Sequence, residues 1–175
     1  MVELILFSLP TLIYLLIYRK NLNGARTTMG IIVPKANDFL WAAITGVLLC
    51  GLSYPVMQFL SNSLFSQAGV TVAAFGLWSV LQTIFRATGE EVFFRGFLHG
   101  ILGKRLSPAI TIVVVATLFL LPHLLLLQVD IGFWKLLPLQ WVGGIVFGVL
   151  RYTTGGITAP IVAHSAVNLA QMMLI

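Results

Sequence analysis

Six apolar stretches of near membrane-spanning length dominate this chain of 175 residues. They are roughly residues 2–18, 39–60, 72–102, 108–128, 133–152 and 157–175. A helix that crosses a bilayer needs about 20 mostly apolar residues. Because lipid offers the backbone no hydrogen-bond partners, runs this long and continuous are helical, whereas barrel strands would alternate over about 10 residues. The sequence therefore predicts an all-α integral membrane protein with about six transmembrane helices.

The composition excludes a soluble domain. Hydrophobic residues make up 59% of the chain and charged residues 9%, whereas soluble domains carry about 25% charged residues. The net charge of +5 does not indicate a nucleic-acid partner, because the basic residues sit in short loops beside the apolar runs. The single Cys50 excludes an internal disulfide, and no Cys/His cluster indicates a thiolate metal site.

The positions of the basic residues predict the topology. Seven of them fall in loops that alternation places on one side: Arg19, Lys20, Arg26, Lys35, Lys104, Arg105 and Arg151. Lys135 alone falls in a loop on the other side. The positive-inside rule makes the first side cytoplasmic and places both termini outside. We expect one membrane domain over 1–175, with two helices in 1–70 and a core in 71–175, in a prokaryotic plasma membrane.

The third apolar run contains the charged stretch RATGEEVFFRGFLHG, which begins at Arg86 and ends at Gly100. The apolar segments on either side are each too short to span a membrane alone. We therefore predict one helix that carries its charges into the membrane, instead of two spans joined by a loop. Gly89 in this helix and Pro122 in the next run are candidate positions for a kink.

Helical spacing separates the two glutamates of this stretch. Residues four apart share a face, which pairs Arg86 with Glu90 and Glu91 with Arg95 and extends the second stripe to His99. The two glutamates point about 100° apart. We expect Glu91 to pair with Arg95, leaving Glu90 free for proton chemistry. Ionisable residues inside a membrane are functional by default, although a purely structural ion-pair network is the alternative.

Two further runs contribute polar residues at roughly compatible depths, although those of the sixth run are shallower and need a tilt or a kink to reach the others. His123 lies in the fourth run, and His164 and Asn168 lie one helical turn apart in the sixth. No Ser or Cys has an activating partner beside it, so water is the alternative nucleophile. A carboxylate can act as its general base, a histidine can hold the water or protonate the leaving amine, and further donors can stabilise an oxyanion. This set would hydrolyse an amide bond within the membrane.

A zinc-dependent version of this chemistry is the second possibility. Glu90, His123 and His164 could ligate zinc and leave a position open for water. However, the sequence lacks the H-E-x-x-H pattern that gives the strong local zinc signal. We therefore expect a metal-free site without a cofactor.

Three motifs occur in order along the core: E-E-x-x-x-R, F-x-x-x-H and H-x-x-x-N. Here they are Glu90-Glu91-Val-Phe-Phe-Arg95, Phe119-Leu-Leu-Pro-His123 and His164-Ser-Ala-Val-Asn168. In these motifs the chain resembles the CAAX-protease and bacteriocin-processing family of intramembrane endopeptidases, also called CPBP, Abi or type II CAAX prenyl endopeptidase-like proteins. The resemblance covers about residues 78–175.

The resemblance implies a role for each motif residue. Glu90 and His123 would activate the water, and His164 and Asn168 would stabilise the oxyanion. Three others would support the site: Glu91, Arg95 and Phe119. The implied substrate is a membrane-bound peptide or protein, met within the lipid bilayer.

Two other classes of protein remain as alternatives. A non-catalytic immunity or scaffold protein could use the same fold, although no motif is broken here. A proton-coupled transporter could use an intramembrane Glu/His relay, but the inverted repeats of many transporters are not visible in the sequence.

Overall fold

A computed structural model describes residues 2–58 and 76–173, and within these ranges the chain forms helices and no strands. Eight α-helices follow in chain order: α1 (Val2–Ile17), α2 (Leu22–Thr28), α3 (Ala36–Gln58), α4 (Leu77–Glu91), α5 (His99–Leu102), α6 (Pro108–His123), α7 (Leu137–Thr154) and α8 (Thr158–Met172). A π-helical segment, Val92–Leu98, joins α4 to α5 without a break. Short 3-10 segments occur at Arg19–Asn21, Leu124–Gln128 and Ile131–Leu136. The predicted all-α class is confirmed for the described residues.

Each predicted apolar run contains a helix. Within the described residues, three continuous helical stretches, two of which include a 3-10 segment, are long and apolar enough to cross a membrane: Ala36–Gln58, Pro108–Gln128 and Ile131–Thr154. Large apolar side chains such as Leu16, Val47 and Leu48 face outward and are about seven-tenths exposed, at 69%, 72% and 68%. Such faces suit lipid, so the fold is that of a membrane protein. The number of spans and the side of each terminus stay predictions, and the predicted outer loop at 61–71 lies outside the described residues.

Local chemistry explains where the central helices begin and end. Ser107 caps α6 by accepting a hydrogen bond from the Ile110 amide at 3.5 Å, with Pro108 as the first helical residue, the position where proline loses no helical bond. Gly155 ends α7 with φ +72°, a left-handed conformation that glycine adopts without a steric penalty. The reversal at Gly155 brings α8 back along α3 and α4.

Gly89 and Pro122 were the candidate positions for a kink, and the helix geometry differs between them. Helix α4 continues through Gly89 to Glu91, and the irregular segment is the π-helix that follows. A side chain at Gly89 would place its Cβ 2.9 Å from the Leu4 Cα, so this glycine lets α1 pack closely against α4. Pro122 lies in the last turn of α6, which ends at His123 and passes into a 3-10 segment. Proline cannot donate a backbone hydrogen bond, and this weakens the turn it occupies.

The π-helix also changes the direction of His99. We expected His99 to extend the stripe of Glu91 and Arg95, but it lines a separate cavity with Thr111 and Arg151. A π-helix bonds residue i to i+5 and so turns less per residue than an α-helix. Seven residues of this geometry rotate His99 away from the glutamates while keeping Arg95 within reach of Glu91.

Candidate active site

A buried trio forms the centre of the site. Glu91 and Arg95 are both 0% exposed, and Arg95 Nη1 donates a hydrogen bond of 2.7 Å to Glu91 Oε1. His164 Nδ1 lies 2.7 Å from the same carboxylate oxygen. The predicted pairing of Glu91 with Arg95 is confirmed, and α8 adds the histidine as a third member. Glu91 is therefore occupied by two partners and holds the imidazole of His164 in place.

Arg95 is fixed by groups from two other helices, α6 and α7. Its Nη2 donates to the Gly144 carbonyl of α7 at 3.2 Å. Its guanidinium carbon lies 4.5 Å from the centre of the Phe119 ring and 5.3 Å from that of Phe147, within the range of cation–π attraction. The Arg95 carbonyl accepts a hydrogen bond from Arg151 Nε at 3.1 Å. These contacts hold both the side chain and the backbone, so Arg95 has a structural role in orienting Glu91.

Phe119 packs at the junction of the site. It is 1% exposed, and its ring centre lies 5.0 Å from that of Phe94, 4.7 Å from His123 and 5.9 Å from His164. The ring thus separates the two imidazoles and covers the guanidinium of Arg95. This position fits the supporting role that the sequence resemblance implied.

Glu90 is the less occupied of the two glutamates. Its side chain is 12% exposed, with Oε2 lying 3.8 Å from His164 Nε2 and Oε1 lying 4.0 Å from Arg86 Nε. Both distances exceed those of a hydrogen bond. Among the described residues the Glu90 carboxylate accepts no hydrogen bond, so its oxygens are available to a water molecule.

Arg86 turns mainly toward α1. Its Nη2 donates to Glu3 Oε1 at 2.8 Å, and both side chains are about half exposed. Glu3 is 83 residues away in the chain, and no local pattern pointed to it. The pairing draws the guanidinium to the edge of the site and leaves Glu90 with a weak, long contact.

The hydrogen bond of His123 fixes the protonation of its ring. Its Nδ1 lies 2.8 Å from the Phe119 carbonyl one turn earlier. A carbonyl oxygen only accepts, so Nδ1 must carry the proton, and in the neutral ring Nε2 is then an acceptor. A nitrogen of this kind can accept a hydrogen bond from water. No direct hydrogen bond or ion pair joins His123 to Glu90 within residues 2–58 and 76–173.

His164 and Asn168 line one small cavity between α3, α7 and α8. The cavity also touches Gly143, Phe147 and Val167, and its volume is about 20 Å³. A cavity holds a water molecule once about 10–15 Å³ is open to a water-sized sphere. There is room here for about one water, or for one small group such as a carbonyl oxygen. The expectation that His164 and Asn168 share a face is met, because both border this space.

Sequence reasoning missed the contribution of α7. Phe147 stacks on His164 with ring centres 4.9 Å apart and planes inclined by 25°. Gly144 supplies the carbonyl that Arg95 binds, and a side chain there would meet Ala116 Cβ at 3.0 Å. The Gly143-Gly144 pair in an apolar run was the available signal, because small residues allow close helix packing in membranes.

The alternative set of zinc ligands is not gathered into a metal site. Among the described residues no group of three or more His, Cys, Asp or Glu side chains is placed to hold a metal ion. The Nδ1 atoms of His123 and His164 are already used by a carbonyl and a carboxylate, which leaves only their Nε2 atoms as donors. The metal-free site stays a prediction.

Comparison with known proteins gives one finding. No curated protein and no solved structure matches the chain significantly. A family model does match, over residues 70–170, and it is described as "Type II CAAX prenyl endopeptidase Rce1-like". The matched segment is more than half of the chain and contains every residue of the site from Glu90 to Asn168. The chain therefore belongs to the Rce1-like family of type II CAAX prenyl endopeptidases, a family of proteases.

Proposed function

We propose that this protein is a metal-free intramembrane endopeptidase in which Glu90 and His123 activate a water molecule. The substrate is a peptide bond of a membrane-associated peptide or protein. Membership of a protease family supports the reaction class. The observation that carries the assignment is that two adjacent glutamates differ in their hydrogen-bond partners. Glu91 is bound by Arg95 and His164 at 2.7 Å each, whereas the carboxylate of Glu90 lies 3.8 Å from His164 Nε2 and 4.0 Å from Arg86 Nε.

The proposed first step is attack by water. The water donates one hydrogen bond to the Glu90 carboxylate and the other to His123 Nε2, which the Phe119 carbonyl keeps as an acceptor. Glu90 takes a proton as the water oxygen bonds to the substrate carbonyl carbon, whose electron pair moves to the carbonyl oxygen. General-base catalysis of this kind contributes about 10²–10⁴-fold.

The second step expels the amine. The tetrahedral intermediate collapses as the carbon–nitrogen bond breaks, and the proton held by Glu90 passes to the leaving nitrogen. The products are a carboxylic acid and an amine, and Glu90 returns to its carboxylate form. The atoms and protons of the two steps therefore balance with only the chain, the substrate and one water molecule.

His164 and Asn168 are proposed to stabilise the oxyanion formed between these steps. His164 Nδ1 faces a carboxylate, so it carries a proton, and Nε2 can also donate only if the ring is doubly protonated. The trio of Glu91, Arg95 and His164 then has a net charge of +1, which a developing oxyanion would neutralise. Each oxyanion donor is worth about 2.7–4 kcal/mol in a known enzyme.

The test is peptide cleavage by the purified chain in liposomes. Two substrates would be compared, a farnesylated peptide ending in a CaaX sequence and the same peptide without the prenyl group, since the family description names prenylated substrates. Wild type should cut at least one of them, and Glu90→Ala and His123→Ala should cut neither. Equal cleavage by wild type and Glu90→Ala would remove Glu90 from the mechanism.

A further inference from the structure

A second and larger cavity lies beyond the site, at the far end of the helix that carries the two glutamates. Its volume is about 290 Å³. The floor is formed by His99, Thr111 and Arg151, and Lys104 and Tyr152 lie at its mouth. The predicted topology places this end on the cytoplasmic side, next to the basic loop after α1. None of the proposed catalytic residues lines it.

The charges around this cavity are unbalanced. Arg151 is 8% exposed, and its guanidinium donates to two carbonyls, those of Arg95 at 3.1 Å and Thr28 at 3.2 Å. Lys104 Nζ donates to the Tyr14 hydroxyl at 2.6 Å. The chain has five acidic residues in all, and none of them lines the cavity. A buried cation without a counterion is costly, so binding of an anion in this cavity would be favourable.

Two buried polar groups on the floor are also without partners. Thr111 is 0% exposed and His99 is 8% exposed, and neither the Thr111 hydroxyl nor His99 Nδ1 has a hydrogen-bond partner among the described residues. Buried polar groups are almost always hydrogen-bonded. Both atoms belong to residues that line the cavity, and both can donate. The floor therefore presents hydrogen-bond donors from three helices, and no carboxylate lines the cavity to accept their hydrogen bonds.

We propose that this cavity binds the phosphate group of an anionic phospholipid. A phosphate carries negative charge and several acceptor oxygens, which match a site made of an arginine, a lysine, a hydroxyl and an imidazole. The volume suits a headgroup, since small-molecule pockets begin at about 300 Å³. Basic pockets between transmembrane helices on the cytoplasmic side bind lipid headgroups.

The surroundings of the mouth favour a lipid over free phosphate. Tyr152 lines the cavity and is 57% exposed, and Tyr18 is 49% exposed and lies beside Lys104, whose Nζ is 5.7 Å from its ring centre. Leu106 and Pro108 also line the cavity, and Ile110, two residues after Pro108, is 52% exposed. Tyrosines of this kind are enriched where a membrane helix meets the headgroup layer. The apolar side chains provide a surface that acyl chains can cover. Free phosphate would leave this surface exposed.

The test is native mass spectrometry of the purified chain in detergent with dilauroyl phosphatidylglycerol, and with inorganic phosphate in a separate arm. Lys104→Gln and Arg105→Gln form a matched pair, since each removes one positive charge but Arg105 does not line the cavity. We expect one bound lipid, affinity about tenfold weaker in Lys104→Gln, and no change in Arg105→Gln. Equal weakening in both variants would show non-specific attraction and overturn the proposal.

Thr111→Val provides a second variant that should keep the fold. The two side chains are nearly the same shape, and the change removes a buried hydroxyl that has no partner. The lipid-free protein should unfold at the same temperature or a higher one, while lipid affinity falls severalfold. Unchanged lipid affinity in this variant would contradict the site. A third result would exclude a lipid as the ligand: the protein binds inorganic phosphate but no lipid, and Lys104→Gln weakens this phosphate binding about tenfold.

Discussion

Replacing Glu91 by glutamine should destabilise the protein far more than an ordinary ion-pair mutation. The carboxylate is 0% exposed, and its Oε1 receives both Arg95 Nη1 and His164 Nδ1 at 2.7 Å. A glutamine has the same shape, and its amide oxygen can still accept both hydrogen bonds. The change therefore removes the negative charge while leaving a guanidinium that is also 0% exposed. Breaking a buried pair in this way costs about 3–5 kcal/mol.

A double variant distinguishes a lost charge from lost packing. Arg95→Met alone should cost a similar amount, because it leaves the Glu91 carboxylate buried with His164 as its remaining partner. Glu91→Gln combined with Arg95→Met removes both charges, and it should cost much less than the sum of the single changes. The free energy of unfolding would be measured by titration with dodecyl sulfate in mixed micelles, followed by circular dichroism.

Two results would refute this reasoning. A cost below about 1 kcal/mol for Glu91→Gln would be typical of a solvent-exposed pair, and it would mean that the trio is not closed to solvent. Additive costs in the double variant would mean that the two residues do not depend on each other. In the first case Glu91 would be no more structural than Glu90, and the division of roles between the glutamates would fail. In the second case Glu91 would not stabilise the protein through its pairing with Arg95.

Three further predictions concern the surroundings of the site. Glu3→Gln should release Arg86 to pair with Glu90, now 4.0 Å away, and lower the cleavage rate severalfold. Arg86→Gln in the same chain should restore the rate, and no effect of Glu3→Gln would contradict this control of Glu90. Gly89→Ala should cost about 1–3 kcal/mol in unfolding free energy, because the new Cβ would lie 2.9 Å from the backbone of α1. At the control position Gly51, an added Cβ has no described residue outside its own helix turn within 4 Å. Gly51→Ala should therefore be neutral or stabilising by up to about 1 kcal/mol, and equal effects of the two changes would contradict the packing argument. Finally, EDTA should leave peptide cleavage unchanged, whereas a loss of activity that zinc restores would favour the metal-dependent alternative.

The parts of the site that depend on local spacing were predictable from the sequence. Hydropathy located the helices, since the length and apolar character of each run are read directly from the residues. The i, i+4 rule paired Glu91 with Arg95, and the same rule placed His164 and Asn168 on one face. Both pairs lie within one helical turn, so no knowledge of the tertiary packing was needed.

The parts that depend on helix packing were not predictable. His164 reaches Glu91 across 73 positions and Glu3 reaches Arg86 across 83, and no pattern in a single sequence joins residues so far apart. The i, i+4 rule assumes an α-helix throughout, whereas residues Val92–Leu98 form a π-helix, which moved His99 from the expected stripe to the second cavity.

The central claim is that Glu90 performs chemistry while Glu91 maintains structure. The most direct measurement is the single-turnover rate of peptide cleavage by Glu90→Gln in liposomes, with its unfolding free energy measured alongside. We predict a rate lower by about 10²–10⁴-fold and an unfolding free energy close to that of wild type. A rate equal to that of wild type, with the protein folded, would contradict the claim.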